Sequence, residues 1–485
     1  MNRIFFALLL CTSFIFQNST QAQTSFYSRE QKFSYQNGDF NIVGRSGDRL
    51  YTYRASSEGF FLDGFDDSMR LKATIALDFF PKKIYDTKFI TYNDRIIVLY
   101  QAMERNNVLQ YAAILDGRAR LMQKPIVLDS AKVGWMSSKR EYFSSAVSED
   151  KSKIAVIGIG GKNTTAEFKT ILFNSDLQII NRKASAARAE NDLSLGQILL
   201  DNSGVLYMSA YSQSGGRDYI NEAAILTLPL DKSEFQRIVL PLQGNFLSGV
   251  HLKLDNQNKV CYIGGFYSAK KTGNIDGIAY GSFAQGSDVA GIFKLLPADE
   301  QLRNYTGEKN TKKALNDFEA KNIIVKNDGG FILVAEKYYV TTRNSYYGNG
   351  YGYYSGYYGS FANPTIREYN YGDIMALSYN AAGELAWKNF VRKEQYSQED
   401  GGMFSSYGMI NSGASLVFIY NDFNSRSSSL QLAALDIEGN LQMSKMNDDG
   451  MRADWIPRAG KQTDAAEIVI PMLRNNNISF VKVNF

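Results

Sequence analysis

Few residues in this 485-residue chain carry obvious chemistry, and their spacing limits what each could do. His251, in GVHLKLD, is the one histidine. It could relay a proton for a nucleophile, but no Gly-x-Ser-x-Gly turn accompanies it, and one histidine cannot build a multi-histidine zinc or iron site. Its surroundings read as a packed strand, so a structural histidine is the expectation. Acidic residues gather at LDGFDDS (Asp63, Asp66, Asp67) and at NDDGMRAD (Asp448, Asp449). Neither spacing is that of a calcium loop, and Asp beside Gly is ordinarily a turn former. Glycoside cleavage needs two carboxylates flanking the scissile bond, and separate repeats could each supply one without leaving a local motif. The segment GIGGKNTTAE, residues 158–167, has the glycines of a phosphate loop, yet it joins two strand patterns and opens no helix. Cys261, in KVCYIGGF, reads as a buried, inert thiol. No catalytic residue, metal or cofactor is therefore expected.

The other unusual stretch is NSYYGNGYGYYSGYYGS, residues 344–360, which carries no charge. Glycine keeps its backbone adaptable, while tyrosine offers a large contact area with few rotatable bonds to freeze. The expected contact residues are Tyr346, Tyr347, Tyr351, Tyr353, Tyr354, Tyr357, Tyr358 and Phe361. A cap packed on its own fold and a plain low-complexity loop are the alternatives.

These segments are positioned by a repeat. A polar turn followed by a dense apolar strand recurs with turns near 46, 93, 150, 203, 257, 328, 412 and 464. Examples are KFITYNDRIIVLYQA from Lys88, GQILLDNSGVLYMSAYS from Gly196 and NIIVKNDGGFILVAEKY from Asn322. The turns supply Asn, Asp, Ser and Gly for tight hairpins, and the unbroken apolar strand implies burial on both faces. A weaker second hairpin follows the better copies, as in ILFNSDLQIINRKA from Ile171, IFKLLPADEQLRNYTG from Ile292 and AALDIEGNLQMSKM from Ala433. Two hairpins make a four-stranded sheet of roughly fifty residues, the size of one propeller blade. The expected fold is all-β: a β-propeller of four-stranded antiparallel blades, eight in number with seven as the alternative. Its ring would close by pairing the N-terminal strand in SFYSREQKFSYQNGD with the C-terminal strands. Two longer turn intervals, 257 to 328 and 328 to 412, are assigned to insertions: one from Ser268, SAKKTGNIDGIAYGSFAQGSD, and the Tyr/Gly loop at 341–371. Both fall between the second and third strands of their blades, so they should share one side of the ring.

In repeat design the chain resembles exported bacterial propellers of the quinoprotein-like and Kelch-like groups. LSYNAAGELAWKNF is similar to their turn-then-Trp hairpin, and YIGGFY resembles the double glycine of a Kelch strand. The resemblance implies fold alone.

The ends and the bulk composition complete the reading. Arg3, the apolar run Ile4 to Phe16 and Thr20-Gln21-Ala22 have the form of a cleaved secretory signal, residues 1–22, leaving 23–485 as a single domain. The run is too short to span a membrane comfortably. Net charge is +4 without basic clusters, which argues against nucleic acid. The expectation is a monomeric, exported, non-enzymatic binding or scaffold module for an envelope protein or a glycan, periplasmic or outer-membrane-associated or extracellular in a bacterium. A polysaccharide hydrolase or lyase with channel carboxylates is the alternative.

Overall fold

The computed structural model describes residues 24–485 apart from 134–141, 163–164, 189–193, 216–218, 290, 345–364, 424–428 and 447–453. The signal segment, Asp448, Asp449 and the tyrosines at 346–358 with Phe361 thus lie outside the described residues.

Antiparallel sheets make up nearly all of the rest; one six-residue helix, Glu300–Tyr305, and two single 3-10 turns are the helical segments among the described residues. The widest sheet divides at a two-residue strand, Phe246–Leu247, which bridges Ile220 to Ser268. With that division the chain forms eight four-stranded units: I (39–76), II (84–132), III (143–188), IV (194–239), V (251–297), VI (318–391), VII (407–445) and VIII. Unit VIII takes Lys461–Asp464, Glu467–Arg474 and Asn477–Asn484 from the C-terminus and Thr24–Tyr27 from the N-terminus, and the two-residue strands Gln31–Lys32 and Asp454–Trp455 add to the same sheet. The N-terminal strand pairs from Thr24 opposite Asn484 to Tyr27 opposite Val481, as the sequence suggests. Successive four-stranded antiparallel sheets are what a β-propeller requires.

Each expected repeat turn joins the first and second strands of one unit. The second strands are apolar throughout because they are covered on both sides. In Arg95–Glu104, Ile96, Val98 and Tyr100 enter the core shared with unit I, whereas Ile97 and Leu99 enter the core shared with unit III. Such burial contributes about 1.5–3 kcal/mol per large side chain. The same division recurs from unit to unit, and one cluster joins Ile42, Leu50 and Phe65 of unit I to Val469, Ile478 and Phe480 of unit VIII.

Two expectations need correction. IFKLLPADEQLRNYTG is no hairpin: Ile292–Pro297 is the outer strand of unit V, and Asp299 then caps the helix by accepting from the Leu302 amide. Residues 298–317, with that helix, lengthen the 257-to-328 interval. Gly277–Ala284, in the middle of the expected insertion from Ser268, is a regular strand, so the insertion between the second and third strands is only 269–276. The strand's glycines mark close backbone approach: a Cβ on Gly277 would lie 2.1 Å from the Leu296 carbonyl oxygen. The Tyr/Gly insertion is also shorter than 341–371, since its flanking strands run to Asn344 and resume at Thr365.

Units I and VIII are further joined by charge. The guanidinium of Arg45 donates to Glu467, with Nη2 2.9 Å from Oε2, while Lys482 Nζ lies 3.2 Å from Oε2 and Thr463 donates to Oε1 at 2.7 Å. Burial alone would raise the Glu467 pKa, but the hydrogen bonds from Arg45 and Thr463 outweigh it and hold the carboxyl below its ordinary value. A depressed carboxyl stabilises the fold above its unfolded pKa, and that stabilisation is lost as pH falls through the folded value. Glu467→Gln should cost about 3 kcal/mol at neutral pH, as for a buried ion pair broken at one partner. The difference from wild type should start to shrink as pH falls past the ordinary carboxyl value, about 4.3, where the unfolded chain takes up the proton, and should vanish once the folded carboxyl is also neutral. Urea unfolding at pH 7 and pH 3 checks both; equal stabilities at pH 7 would contradict the role given to Glu467.

Candidate functional site

The first strands of units III to VI wall a cavity of about 390 Å³. Its charged lining consists of Glu149, Lys253 and Lys321, with His251 beside them and Gln197 and Asn322 as neutral donors and acceptors. A second cavity of about 400 Å³ shares Glu149, Lys253, Asn256 and Asn322 and reaches on to Met409 and Asn411 of unit VII. Strand alternation explains the lining. In His251–Asp255, Leu252 and Leu254 are buried between units V and IV, so His251 and Lys253 take the other face.

The carboxylates near the cavity are engaged. Asn256 donates to Glu149 Oε2 at 2.7 Å, and Asp255 accepts from the amides of Gln257 and Asn258 and from the Asn258 side chain. Glu319 lies 2.7 Å from Lys321, two residues along the same strand. These contacts suit loop positioning better than proton transfer.

His251 is half-buried, and its ring has no hydrogen-bond partner among the described residues. Burial lowers its pKa first and the neighbouring Lys321 lowers it further, with Glu319 opposing, so the imidazole is neutral at pH 7. The sequence pattern suggested a satisfied structural histidine; instead the ring stands on a cavity wall beside two lysines.

A second group of cations ties other units together. Lys88 Nζ donates to the Ser145 carbonyl at 2.8 Å, Lys151 to Thr91 at 3.0 Å and Lys461 to Val43 at 3.0 Å. Each bond crosses from one unit to a neighbour. Burial lowers the Lys461 pKa, and repulsion from Lys151 and Lys88 lowers it further. Among the described residues no carboxylate pairs with Lys151 or Lys461.

Of the acidic residues singled out in the sequence, the described ones, Asp63, Asp66 and Asp67, are each engaged in separate contacts. Asp63 is buried against Arg54 Nε at 3.0 Å and accepts from Thr74 at 2.6 Å. Asp66 closes a turn through the amides of Ser68 and Arg70, and Asp67 pairs with Arg45 at 2.7 Å. Among the described residues no group of three or more His, Cys, Asp or Glu could hold a metal ion. Cys261 is buried between units IV and V, and burial pushes its thiol far above the ordinary range.

The tyrosine segment is carried by the longest hairpin among the described residues, Phe331–Asn344 with Thr365–Tyr379. The outer strand of unit VI stops opposite Ile374, and a fifth strand, Gln395–Gln398, continues alongside Glu368–Tyr371. Below it, Lys393 and Glu336 form a buried ion pair of 2.7 Å, and Ser406 donates to the same carboxylate at 2.6 Å. Tyr339, Val340 and Tyr396 are exposed on this arm. At its root the Tyr338 ring lies 5.5 Å from Lys321 Nζ, so arm and cavity meet at Lys321. Trp387, of the turn-then-Trp hairpin, donates to the Ile437 carbonyl at 3.0 Å and covers Gly439 in the next unit. A Cβ at Gly439 would come within 2.5 Å of the indole.

Comparison with family models and with curated proteins finds no match. Among solved structures, apo prolyl oligopeptidase B from Galerina marginata is 9% identical, with a TM-score of 0.41; the match covers 91% of this chain and 56% of that one. An ulvan lyase of polysaccharide lyase family PL25 is 11% identical with a TM-score of 0.39, covering 81% of this chain and 90% of its own. Hydrazine synthase of Kuenenia stuttgartiensis is 11% identical with a TM-score of 0.31, covering 69% and 74% respectively. This chain thus spans little more than half the length of the oligopeptidase. At such low similarity no site is transferred.

Because the chain has a single histidine, its ring resonances can be followed without assignment ambiguity. The His251 titration midpoint should lie below about 6.5, and Lys321→Gln should raise it by removing a neighbouring positive charge. An unshifted midpoint in a folded Lys321→Gln protein would show that the two side chains do not share the cavity wall.

Proposed function

We propose that the eight units close into one ring, an eight-bladed β-propeller with its first strands around a central channel. The protein would be an exported, monomeric and non-enzymatic binding module of a bacterial cell envelope. Closure is supported by the core and the Glu467 ion pairs that unite units I and VIII, and by the N-terminal strand completing the last sheet. Export rests on the signal-like segment through Ala22.

The observation that carries the binding reading is the hairpin of unit VI. Strands of 14 and 15 residues flank the uncharged tyrosine segment. A fifth strand and a buried ion pair brace its root. A stiff arm bearing aromatic residues loses little entropy on contact, which favours association with a protein or glycan surface. Cleavage of a polysaccharide by channel carboxylates is the second reading. It is less favoured because the cavity lining is mainly basic and the carboxylates beside it are engaged.

Replacing 345–364 by a four-residue Gly-Ser turn should leave thermal unfolding within a few degrees of wild type. The same change should abolish retention of the protein on envelope preparations, read by sedimentation with isolated envelopes. Full retention of the folded deletion variant would remove the arm as the contact surface. Mass spectrometry of the exported protein should find Gln23 as the first residue.

A further inference from the structure

The cavity at the foot of the arm has chemistry of its own. Lys253 and Lys321 line it from neighbouring units, with the His251 ring between burial and the Lys321 charge. Lys253 has no described carboxylate partner, and Lys321 has only the half-exposed Glu319. Gln197 and Asn322 add amide groups able to hydrogen-bond hydroxyls or oxyanions. Its one lining carboxylate, Glu149, is turned to Asn256. Cations gathered in a cavity with few counter-charges create a positive potential that favours an anion. The Tyr338 ring, 5.5 Å from Lys321 Nζ, supplies an aromatic face next to that charge. Charge for an oxyanion beside a flat apolar ring suits a sugar that carries an acid group, whose ring offers C–H faces for stacking.

We propose that this cavity, between the first strands of units V and VI, binds the carboxylate or sulfate group of an acidic glycan, with Lys253 and Lys321 as the anion ligands. This deepens the binding reading above and rests on it, but it assigns the contact to the cavity and its lysines, separate from residues 345–364. A glycan is favoured over an acidic protein segment because the concave cavity of about 390 Å³, continuing into the one that reaches unit VII, has room for a few sugar units rather than a folded surface.

The test is calorimetric titration of the full chain with trigalacturonate, a sulfated trisaccharide, cellotriose, inorganic sulfate and poly-glutamate. At least one acidic saccharide should bind, more weakly as salt rises, and the His251 ring resonances should move on saturation. Loss of a charge-assisted hydrogen bond should weaken binding by about tenfold or more for each of Lys253→Gln and Lys321→Gln. Circular dichroism confirms folding, and exposed Lys253 gives a variant that leaves the core untouched. The chain lacking 345–364 should retain the effect, so failure of the arm reading and failure of this site are distinguishable. Equal binding of cellotriose, binding of inorganic sulfate as tight as that of the saccharides, or unchanged affinity in folded Lys253→Gln would overturn the assignment. Stronger binding of poly-glutamate would replace the glycan by an acidic peptide. Absence of binding by both acidic saccharides would also overturn it.

Discussion

The strand Thr24–Tyr27 lies against Asn484–Val481, so the two ends of the described chain meet in one sheet. Without that pairing the 479–484 part of the last strand would offer an open edge to other chains, since Gln31–Lys32 covers only Asn477 and Ile478. With it, unit VIII presents Val469 and Phe480 to Ile42 and Phe65 of unit I, and Glu467 to Arg45. The first residues of the domain are thus fixed by its last ones. Among the described residues Cys261 is the one cysteine, buried and unpaired, so hydrophobic packing and the pairing of the two ends hold this fold without a disulfide.

What was legible in the sequence followed from burial on two faces. A strand such as Arg95–Glu104 is apolar at consecutive positions because each face feeds a different core, and its turn must be short and polar. Outer strands were harder to read, since only one face is covered; Leu441–Lys445 is mostly exposed and carries a weak pattern. Gly277–Ala284 was misread as an insertion because its glycines, which admit neighbouring backbone, look like loop residues. The helix Glu300–Tyr305 is too short for its period to register against a preceding strand.

The cavity could not be read from the sequence at all. His251 and Lys253 are separated from Lys321 and Gln197 by more than fifty residues of intervening strand in each direction, and no local spacing joins them. The one available signal was the polar alternate position of each first strand, as in HLKLD, which identifies the face turned away from the core. The arm was half legible. Its tyrosine composition stood out, but the long ladder that carries it was hidden because TTRN and TIREYN are polar strands paired mainly with each other. Arm and cavity then prove to be neighbours through Tyr338 and Lys321, a contact between strands that sequence order alone does not suggest.

Closure of the ring by the N-terminal strand can be tested most directly by residue-resolved amide hydrogen exchange. If the ends are locked together, the amides of 24–27 and 477–484 exchange in one cooperative step, as slowly as those of Glu467–Arg474. Exchange of 24–27 at the rate of a free peptide, with 467–484 still protected, would contradict closure.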